Sequence, residues 1–171
     1  MQKIIEHFRD FAGSTNHQLR PVSINEVIEG SFILLNEHMK LSGINVVLEL
    51  THEVPVVLCD PNKLEQMFLS FFSNAREAIE KAHGVKGGKL IVSSGVRGLS
   101  AVVSIKDSGC GIPEDMMNRI YDPFFTTKET GKGTGLGLVI VKSIAESHGG
   151  KVTVRSAPGK GTQFSFTLSL A

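Results

Sequence analysis

The order of helix-forming and strand-forming segments in this 171-residue chain predicts an α+β fold. Two long segments carry apolar residues at helical spacing between a polar cap and a glycine, and a shorter one follows near the C-terminus. Short β-branched segments lie between the helices, and four of them are joined in pairs by glycine-containing turns typical of hairpins. We therefore expect a two-layer sandwich, in which one mixed, mostly antiparallel sheet is covered on one face by helices.

The two long helices are defined by the residues at their ends. The first is expected to begin at Ser23 or Asn25, whose side chains can cap a helix N-terminus, and to end at Gly43. The second begins after Asp60, where a proline occupies the first helical position, and ends near Gly84.

Six strand-forming segments complete the expected sheet. Each is short, rich in β-branched or apolar residues, and bordered by turn-forming residues. The segments are 45–51, 56–58, 89–96, 100–108, 151–157 and 162–170. A third helix over 136–148 precedes the last hairpin.

The first 22 residues differ from the rest of the chain. Residues 3–12 carry apolar side chains at helical spacing, and the polar stretch 13–21 has the composition of a linker. We take residues 1–22 as the end of a helix from a preceding module together with its linker. Residues 23–171 are then one folded domain, long enough for one hydrophobic core.

Composition excludes several classes of protein. Eighteen Lys and Arg balance seventeen Asp and Glu, and a net charge of +1 gives no sign of a nucleic-acid or membrane surface. No apolar run approaches the roughly 20 residues needed to cross a bilayer. Cys59 and Cys110 lack metal-binding spacing. We expect a cytoplasmic chain that contacts neither nucleic acid nor membrane, while its parent protein could be membrane-anchored elsewhere.

Asn74 lies beside the apolar stripe of the second long helix. Its neighbours at 71, 72, 75 and 78 are apolar or small, and burying an amide without partners costs free energy. Asn74 is therefore either a hydrogen-bonded buried residue or a ligand. An amide oxygen suits Mg²⁺, which prefers oxygen donors and usually accompanies phosphates.

A second candidate is the segment 107–113, DSGCGIP, where a strand of β-branched residues ends in a carboxylate. That carboxylate can accept a hydrogen bond from the exocyclic amine of a base, and the glycines let the backbone approach a flat ring. An ordinary Asp-Ser-Gly turn is the alternative.

Two glycine-rich segments and one aromatic segment follow. Residues 131–138, GKGTGLGL, open a helix, where backbone amides and the helix dipole favour phosphate. They match neither a P-loop nor a dinucleotide fingerprint, so a flexible linker is the alternative. Residues 159–162, GKGT, fit a hairpin turn. Residues 123–128, PFFTTK, are either a hinge that packs down over a ligand or an anchor in the core.

Together these five features resemble a known family. An asparagine on a helix, then DSGCGIP, PFFTTK, GKGTGLGL and GKGT, match in order the asparagine, phenylalanine and glycine boxes of the ATP-binding catalytic domain of two-component sensor histidine kinases. The wider family includes DNA gyrase and other type II topoisomerases, mismatch-repair ATPases and heat-shock chaperones. The resemblance covers about residues 24–170 and implies a Bergerat-type ATP-binding fold, consistent with the predicted sandwich.

The resemblance implies a role for each matching residue. Asn74 would hold the Mg²⁺ that bridges the phosphates of ATP, Asp107 would bind the adenine amine, and Thr162 would support Asp107 through water. Lys128 would reach the γ-phosphate, with assistance from Arg76. The remaining nucleotide-binding residues would be Gly109, Gly111, Ile112, Phe125, Gly133, Thr134, Gly135, Leu136 and Gly137.

The implied function is transfer of the γ-phosphoryl group of ATP to a histidine in a dimerisation domain absent from this chain, with a response regulator as the further partner. Residues 122–135 would form a lid over the nucleotide. Phosphoryl transfer depends mainly on positioning and charge neutralisation. The sequence departs from the family at two positions. Ser70 stands where ATPases carry a water-activating Glu and many histidine kinases a second Asn, and Glu77 stands where kinases often carry Lys.

Three alternative functions remain open at the level of sequence. An ATP-driven conformational ATPase is disfavoured by Ser70, since a hydroxyl is a poor general base. A regulatory serine kinase and a degenerate domain that binds ATP without chemistry are the others. The helical pattern of 3–12 favours the sensor kinase. Neither His7 nor His17 lies in a sequence like that of family phosphoacceptors, so the substrate histidine is expected outside the chain.

Overall fold

The computed structural model describes residues 19–53, 56–128 and 133–170. Within these residues the chain forms three α-helices, which are α1 (Ile24–Leu41), α2 (Pro61–His83) and α3 (Gly137–Ser147). The strands are β1 (Arg20–Val22), β2 (Asn45–Leu50), β3 (Val57–Cys59), β4 (Lys89–Arg97), β5 (Ser100–Asp107), β6 (Lys151–Ser156) and β7 (Thr162–Ser169). Single 3₁₀ turns occupy Gly84–Lys86 and Glu114–Met116.

Five strands form the main sheet, in the order β2-β4-β5-β7-β6. The β2–β4 pair is parallel, and the other three pairs are antiparallel. The prediction of a mixed, mostly antiparallel sheet is confirmed, except that the strand expected at 56–58 lies outside it, as β3 in a separate two-stranded sheet with β1. Its single parallel pair follows from α2, which carries the chain back across the sheet between β2 and β4.

Helix α2 is the centre of the helical layer. It packs against α1 on one side, α3 on the other and β5 beneath. Its apolar face meets the inward face of the sheet, where the rings of Phe71 and Phe164 lie 5.2 Å apart between centroids. Burial alternates along β7 because successive strand residues point to opposite faces. Among the described residues, no helix is both long enough and apolar enough to span a bilayer.

The predicted helix caps are largely confirmed. Ser23 Oγ accepts a hydrogen bond from the amide of Glu26, so Ser23 rather than Asn25 caps α1. Asn25 instead donates to the Thr51 carbonyl at 2.7 Å and accepts from Ser94 Oγ at 2.8 Å, which fixes α1 to the sheet. At α2, Asp60 Oδ1 accepts from the amides of the second and third helical residues.

Strand β1 was not predicted from the sequence. Residues 20–22 pair antiparallel with β3, although 13–21 is predicted to be a linker. Three residues that include Pro21 give almost no strand signal, and proline lacks a donor and is confined to sheet edges. The predicted helix over 3–12 lies outside the described residues, so the boundary at residue 22 stays a prediction.

His148 connects the N-terminus of α2 to the C-terminus of α3. Its Nε2 accepts a hydrogen bond from the Asp60 amide at 3.0 Å, and its Nδ1 lies 2.8 Å from the Ile144 carbonyl. Since the amide must donate, the neutral imidazole carries its proton on Nδ1 and donates to Ile144. His148 therefore interacts with the C-terminus of α3, and its bond to Asp60 joins that end of α3 to the start of α2.

Candidate functional site

Asp107, the last residue of β5, is a buried carboxyl group. Its Oδ1 accepts hydrogen bonds from the amides of Gly109 at 2.8 Å and Thr162 at 3.2 Å. Burial raises the pKa of Asp107, and the two amide bonds oppose that shift. Both hydrogen bonds end on Oδ1. The other carboxylate oxygen, Oδ2, takes no part in them and can accept a hydrogen bond from a donor on a ligand.

Glycines bring three backbone segments together around Asp107. A Cβ on Gly109 would lie 2.6 Å from the Ala78 backbone of α2. Gly161 has φ +76°, and a Cβ there would overlap the Asp107 carbonyl oxygen. A Cβ on Gly111, whose φ is +71°, would overlap the Ala157 carbonyl oxygen in the same way. These contacts explain why glycine occupies the DSGCGIP and GKGT segments, and we call Asp107, Gly109, Gly111 and Thr162 the carboxylate end of the site.

Thr162 supports Asp107 more directly than its predicted role implies. The expected link runs through water, whereas the structure has the Thr162 amide donating to the carboxylate itself. Ser156 Oγ accepts from the Ile112 amide at 2.8 Å, donates to the Gly161 carbonyl at 3.0 Å and lies 2.9 Å from Thr162 Oγ1. The hydroxyl of Thr162 must therefore donate to Ser156, and its own oxygen remains free to accept.

Ser156 is a site residue that was not predicted from the sequence. It pairs with Thr162 across the β6–β7 hairpin, and this register places the two hydroxyls side by side. Counting back from the GKGT turn would have found it, since the residues flanking a hairpin turn face each other.

Asn74 lies on α2 beside the first residue of α3. A Cβ on Gly137 would meet the Asn74 amide nitrogen at 3.7 Å and no other nearby atom outside its own helix. In the described part of the chain, no residue hydrogen-bonds to the half-buried Asn74 side chain. The unpaired amide and the open space over a helix N-terminus fit a Mg²⁺–phosphate group. We call Asn74 and Gly137 the amide end of the site.

Helix α2 holds both ends of the site. Ala78, against which Gly109 packs, follows Asn74 by four residues, so the two positions lie about 6 Å apart on one helix face. A ligand that reaches both ends must therefore offer a hydrogen-bond donor to Asp107 and anionic or metal-bound groups to Asn74.

The aromatic segment is joined to the glycine-rich segment through the backbone. Phe124 has φ +66° and is 59% exposed, and its amide donates to the Gly135 carbonyl at 3.1 Å. A Cβ on Gly135, whose φ is +65°, would lie 2.6 Å from the Phe124 Cα. Phe124 is therefore no core anchor. The half-buried Phe125 stacks under the guanidinium of Arg119, 4.5 Å from the ring centroid.

Other predicted residues shape the entry to α3. Thr134 Oγ1 accepts from the Leu136 amide at 3.3 Å, a turn that aims the chain into the helix. Leu136 is buried, so its side chain is structural and only its backbone can meet a ligand. A Cβ on Gly133 would lie 2.6 Å from Lys128 Cδ, which brings the start of this segment against the end of PFFTTK.

The two predicted cationic residues lie in different places. Lys128 forms an ion pair with Glu77, three residues after Asn74 and on the same side of α2. Arg76 instead pairs with Glu80 at 2.7 Å, at about 200° around the helix from Asn74. The structure thus brings Lys128 to the amide end but not Arg76, whose expected assistance stays a prediction that these contacts do not support.

Comparison with known proteins agrees with this geometry. A family model described as histidine kinase-, DNA gyrase B- and HSP90-like ATPase matches residues 59–171. Sporulation kinase E of Bacillus subtilis (strain 168) is 34% identical over 98% of this chain and 22% of its own length. Sensor histidine kinase ZraS of Escherichia coli (strain K12) is 33% identical over 98% and 35%. The chain therefore spans about a fifth to a third of these relatives.

Solved structures show the same fold. The catalytic domain of histidine kinase ThkA matches with a TM-score of 0.76 and 33% identity over 89% of this chain and 95% of that one. Full-length ShkA in complex with AMPPNP matches at 0.81 and 26%, over 98% and 35%. ThkA in complex with the response regulator TrrA matches at 0.79 and 25%, over 99% and 47%. This chain belongs to the family of histidine kinase-, DNA gyrase B- and HSP90-like ATPases.

Proposed function

We propose that this chain is the catalytic domain of a two-component sensor histidine kinase. It binds Mg-ATP and transfers the γ-phosphoryl group to a histidine of a dimerisation domain outside the chain, from which a response regulator takes it. The observation that carries the proposal is that Gly109, whose amide binds the buried Asp107 carboxylate, packs against Ala78 of α2, about one helical turn from the unpaired amide of Asn74.

The carboxylate end suits adenine. Ionised Asp107 offers an acceptor to the exocyclic amine, and the glycines at 109 and 111 keep side chains away from a ring lying against this loop. The free oxygen of Thr162 Oγ1 adds a second acceptor beside Asp107. Guanine carries a carbonyl oxygen where adenine carries its amine, so it would set acceptor against acceptor.

The amide end suits the phosphates and their metal. Asn74 would supply one oxygen ligand to Mg²⁺, and the α3 N-terminus would supply amides and a favourable dipole. A bound Mg²⁺ would neutralise part of the phosphate charge, and Lys128 would add a cation at the same end. Solved ShkA holds AMPPNP, which supports an ATP-type ligand for this fold.

The relatives support the signalling context. Sporulation kinase E and sensor histidine kinase ZraS match along almost this whole chain, and ThkA is solved together with a response regulator. We infer that residues 1–22 contain the end of the dimerisation helix and its linker, with β1 at 20–22 already paired to β3 of the catalytic domain. Residues 23–171 form the catalytic domain, and both parts lie in the cytoplasm. Ser70, one turn before Asn74, offers no carboxylate to activate water, so hydrolysis without an acceptor histidine is expected to be slow.

The proposal is tested by phosphotransfer in trans. The chain is mixed with the separately expressed dimerisation domain of its parent protein and γ-labelled ATP. We expect an acid-labile, alkali-stable label on that domain, and none when its histidine is replaced by glutamine. Rapid release of free phosphate from the chain alone, with no labelled acceptor, would instead identify an ATPase.

A further inference from the structure

The ion pair between Glu77 and Lys128 connects helix α2 to the PFFTTK segment. We propose that Glu77 is a positioning residue for phosphoryl transfer, which holds the Lys128 ammonium at the phosphate end of the site. The proposal rests on the nucleotide site proposed above. It also assigns a role to Glu77, which stands at a position where kinases often carry lysine.

The placement of Glu77 on α2 sets where the ammonium lies. Glu77 follows Asn74 by three residues, and residues at that spacing are neighbours on one helix face. The ion pair thus holds Lys128 Nζ on the side of α2 that carries Asn74, the proposed Mg²⁺ ligand. The pair Arg76–Glu80 differs, since both of its members belong to α2.

Burial of the Glu77 carboxylate oxygen favours keeping the pair when nucleotide binds. The Glu77 side chain is 32% exposed as a whole, yet its Oε2 atom has almost no exposed surface and lies against the Lys128 ammonium. Removing the cation would leave a carboxylate oxygen that is shielded from water and uncompensated. An ammonium has three donors, so it can keep Glu77 and still donate to a phosphate oxygen.

The backbone and the aliphatic side-chain carbons of Lys128 are held in place as well as its ammonium group. Its amide donates to Thr126 Oγ1 at 3.2 Å. Gly133 packs so closely that a Cβ there would lie 2.6 Å from Lys128 Cδ and 2.7 Å from Thr126 Oγ1. The cation is therefore preorganised before nucleotide arrives, and charges already in place stabilise a transition state without reorganisation.

A double-mutant cycle on the isolated chain tests the proposal. The readout is the affinity for AMPPNP divided by that for ADP, since only the triphosphate reaches Lys128. We expect Lys128→Gln to lower the ratio about tenfold or more, as for a lost charge-assisted hydrogen bond. Glu77→Gln should lower it about two- to fivefold, the range of a half-exposed pair. The double variant should match Lys128→Gln, because Glu77 acts only through Lys128.

The control variant and the direction of each change distinguish a positioning role for Glu77 from a structural or competing one. Glu65→Gln, the same change elsewhere on α2, should leave the ratio unchanged, and a purely structural loss would shift both affinities equally. A higher ratio in Glu77→Gln would mean that Glu77 competes with the phosphate, and additive losses would mean that it acts independently. Either result overturns the proposal. If the wild-type chain binds neither nucleotide, the proposed function itself fails. Thermal unfolding of each variant confirms that it is folded.

Discussion

Asp107→Asn is expected to lower the affinity for adenine nucleotides roughly 10- to 100-fold, the effect of losing a hydrogen bond to a charged group. In the wild type, the amides of Gly109 and Thr162 donate hydrogen bonds to Asp107 Oδ1. The asparagine oxygen of the variant can still accept both of these hydrogen bonds. The NH₂ group then occupies the position of the free carboxylate oxygen. It would meet the adenine amine donor to donor, so binding is lost while the loop keeps its hydrogen bonds.

The same variant should gain stability relative to the wild type as the pH rises from acid values. Burial raises the pKa of Asp107, so between the pKa of the unfolded chain and that of the folded chain the native state binds more protons. The contribution of Asp107 to stability is therefore full at acid pH and falls as pH rises through the folded pKa. Asparagine does not titrate, so the stability of the variant relative to wild type should grow over that window and then level off.

Calorimetric titration with ADP and thermal unfolding from acid to neutral pH check both expectations. Asp115→Asn is the matched control, because Asp115 is exposed in the short turn after the DSGCGIP segment. Unchanged ADP affinity in folded Asp107→Asn would remove Asp107 from the adenine site.

Asn74→Ala is expected to abolish the gain in affinity that Mg²⁺ gives to an ATP analogue. The side chain has no hydrogen-bond partner in the described ranges, so its removal disturbs the fold little, whereas a bound Mg²⁺ loses an oxygen ligand. Even an outer-shell partner is typically worth about 10-fold or more in metal affinity, and a direct ligand should be worth at least as much.

Titrations of the analogue with Mg²⁺ and with EDTA measure this gain. Asn62→Ala removes an exposed amide from the first turn of the same helix and should leave the gain intact. Asn74→Asp, which keeps an oxygen ligand, should retain the response to Mg²⁺. A full Mg²⁺ response in Asn74→Ala would contradict the metal role.

Sequence predicted the local parts of this structure well. The cap at Asp60, the glycine stops and the alternating strands are encoded within a few residues, so helix and strand ends were found to within one or two residues. The resemblance to sensor histidine kinase domains was found from the order of five short segments, and the family match confirms it.

Contacts between distant residues were not predictable in the same way. His148 bonds to Asp60 across 88 positions, and Glu77 meets Lys128 only because α2 and the PFFTTK segment adjoin in space. The family resemblance predicted that Thr162 lies near Asp107. The hydrogen bond from the Thr162 backbone amide to Asp107 follows only from the register of β5 and β7. Arg76 lies only two residues after Asn74 but on the opposite side of α2, which helical geometry alone would have shown.

The central claim is that this chain holds Mg-ATP between Asp107 and Asn74. The most direct test is calorimetric titration of the wild-type chain with ADP and a non-hydrolysable ATP analogue, with and without Mg²⁺, and with GTP as the control. We expect one-to-one binding of the adenine nucleotides, tightened by Mg²⁺ for the triphosphate, and much weaker binding of GTP. Binding that ignores both the base and the metal, or no binding at all, would contradict the account.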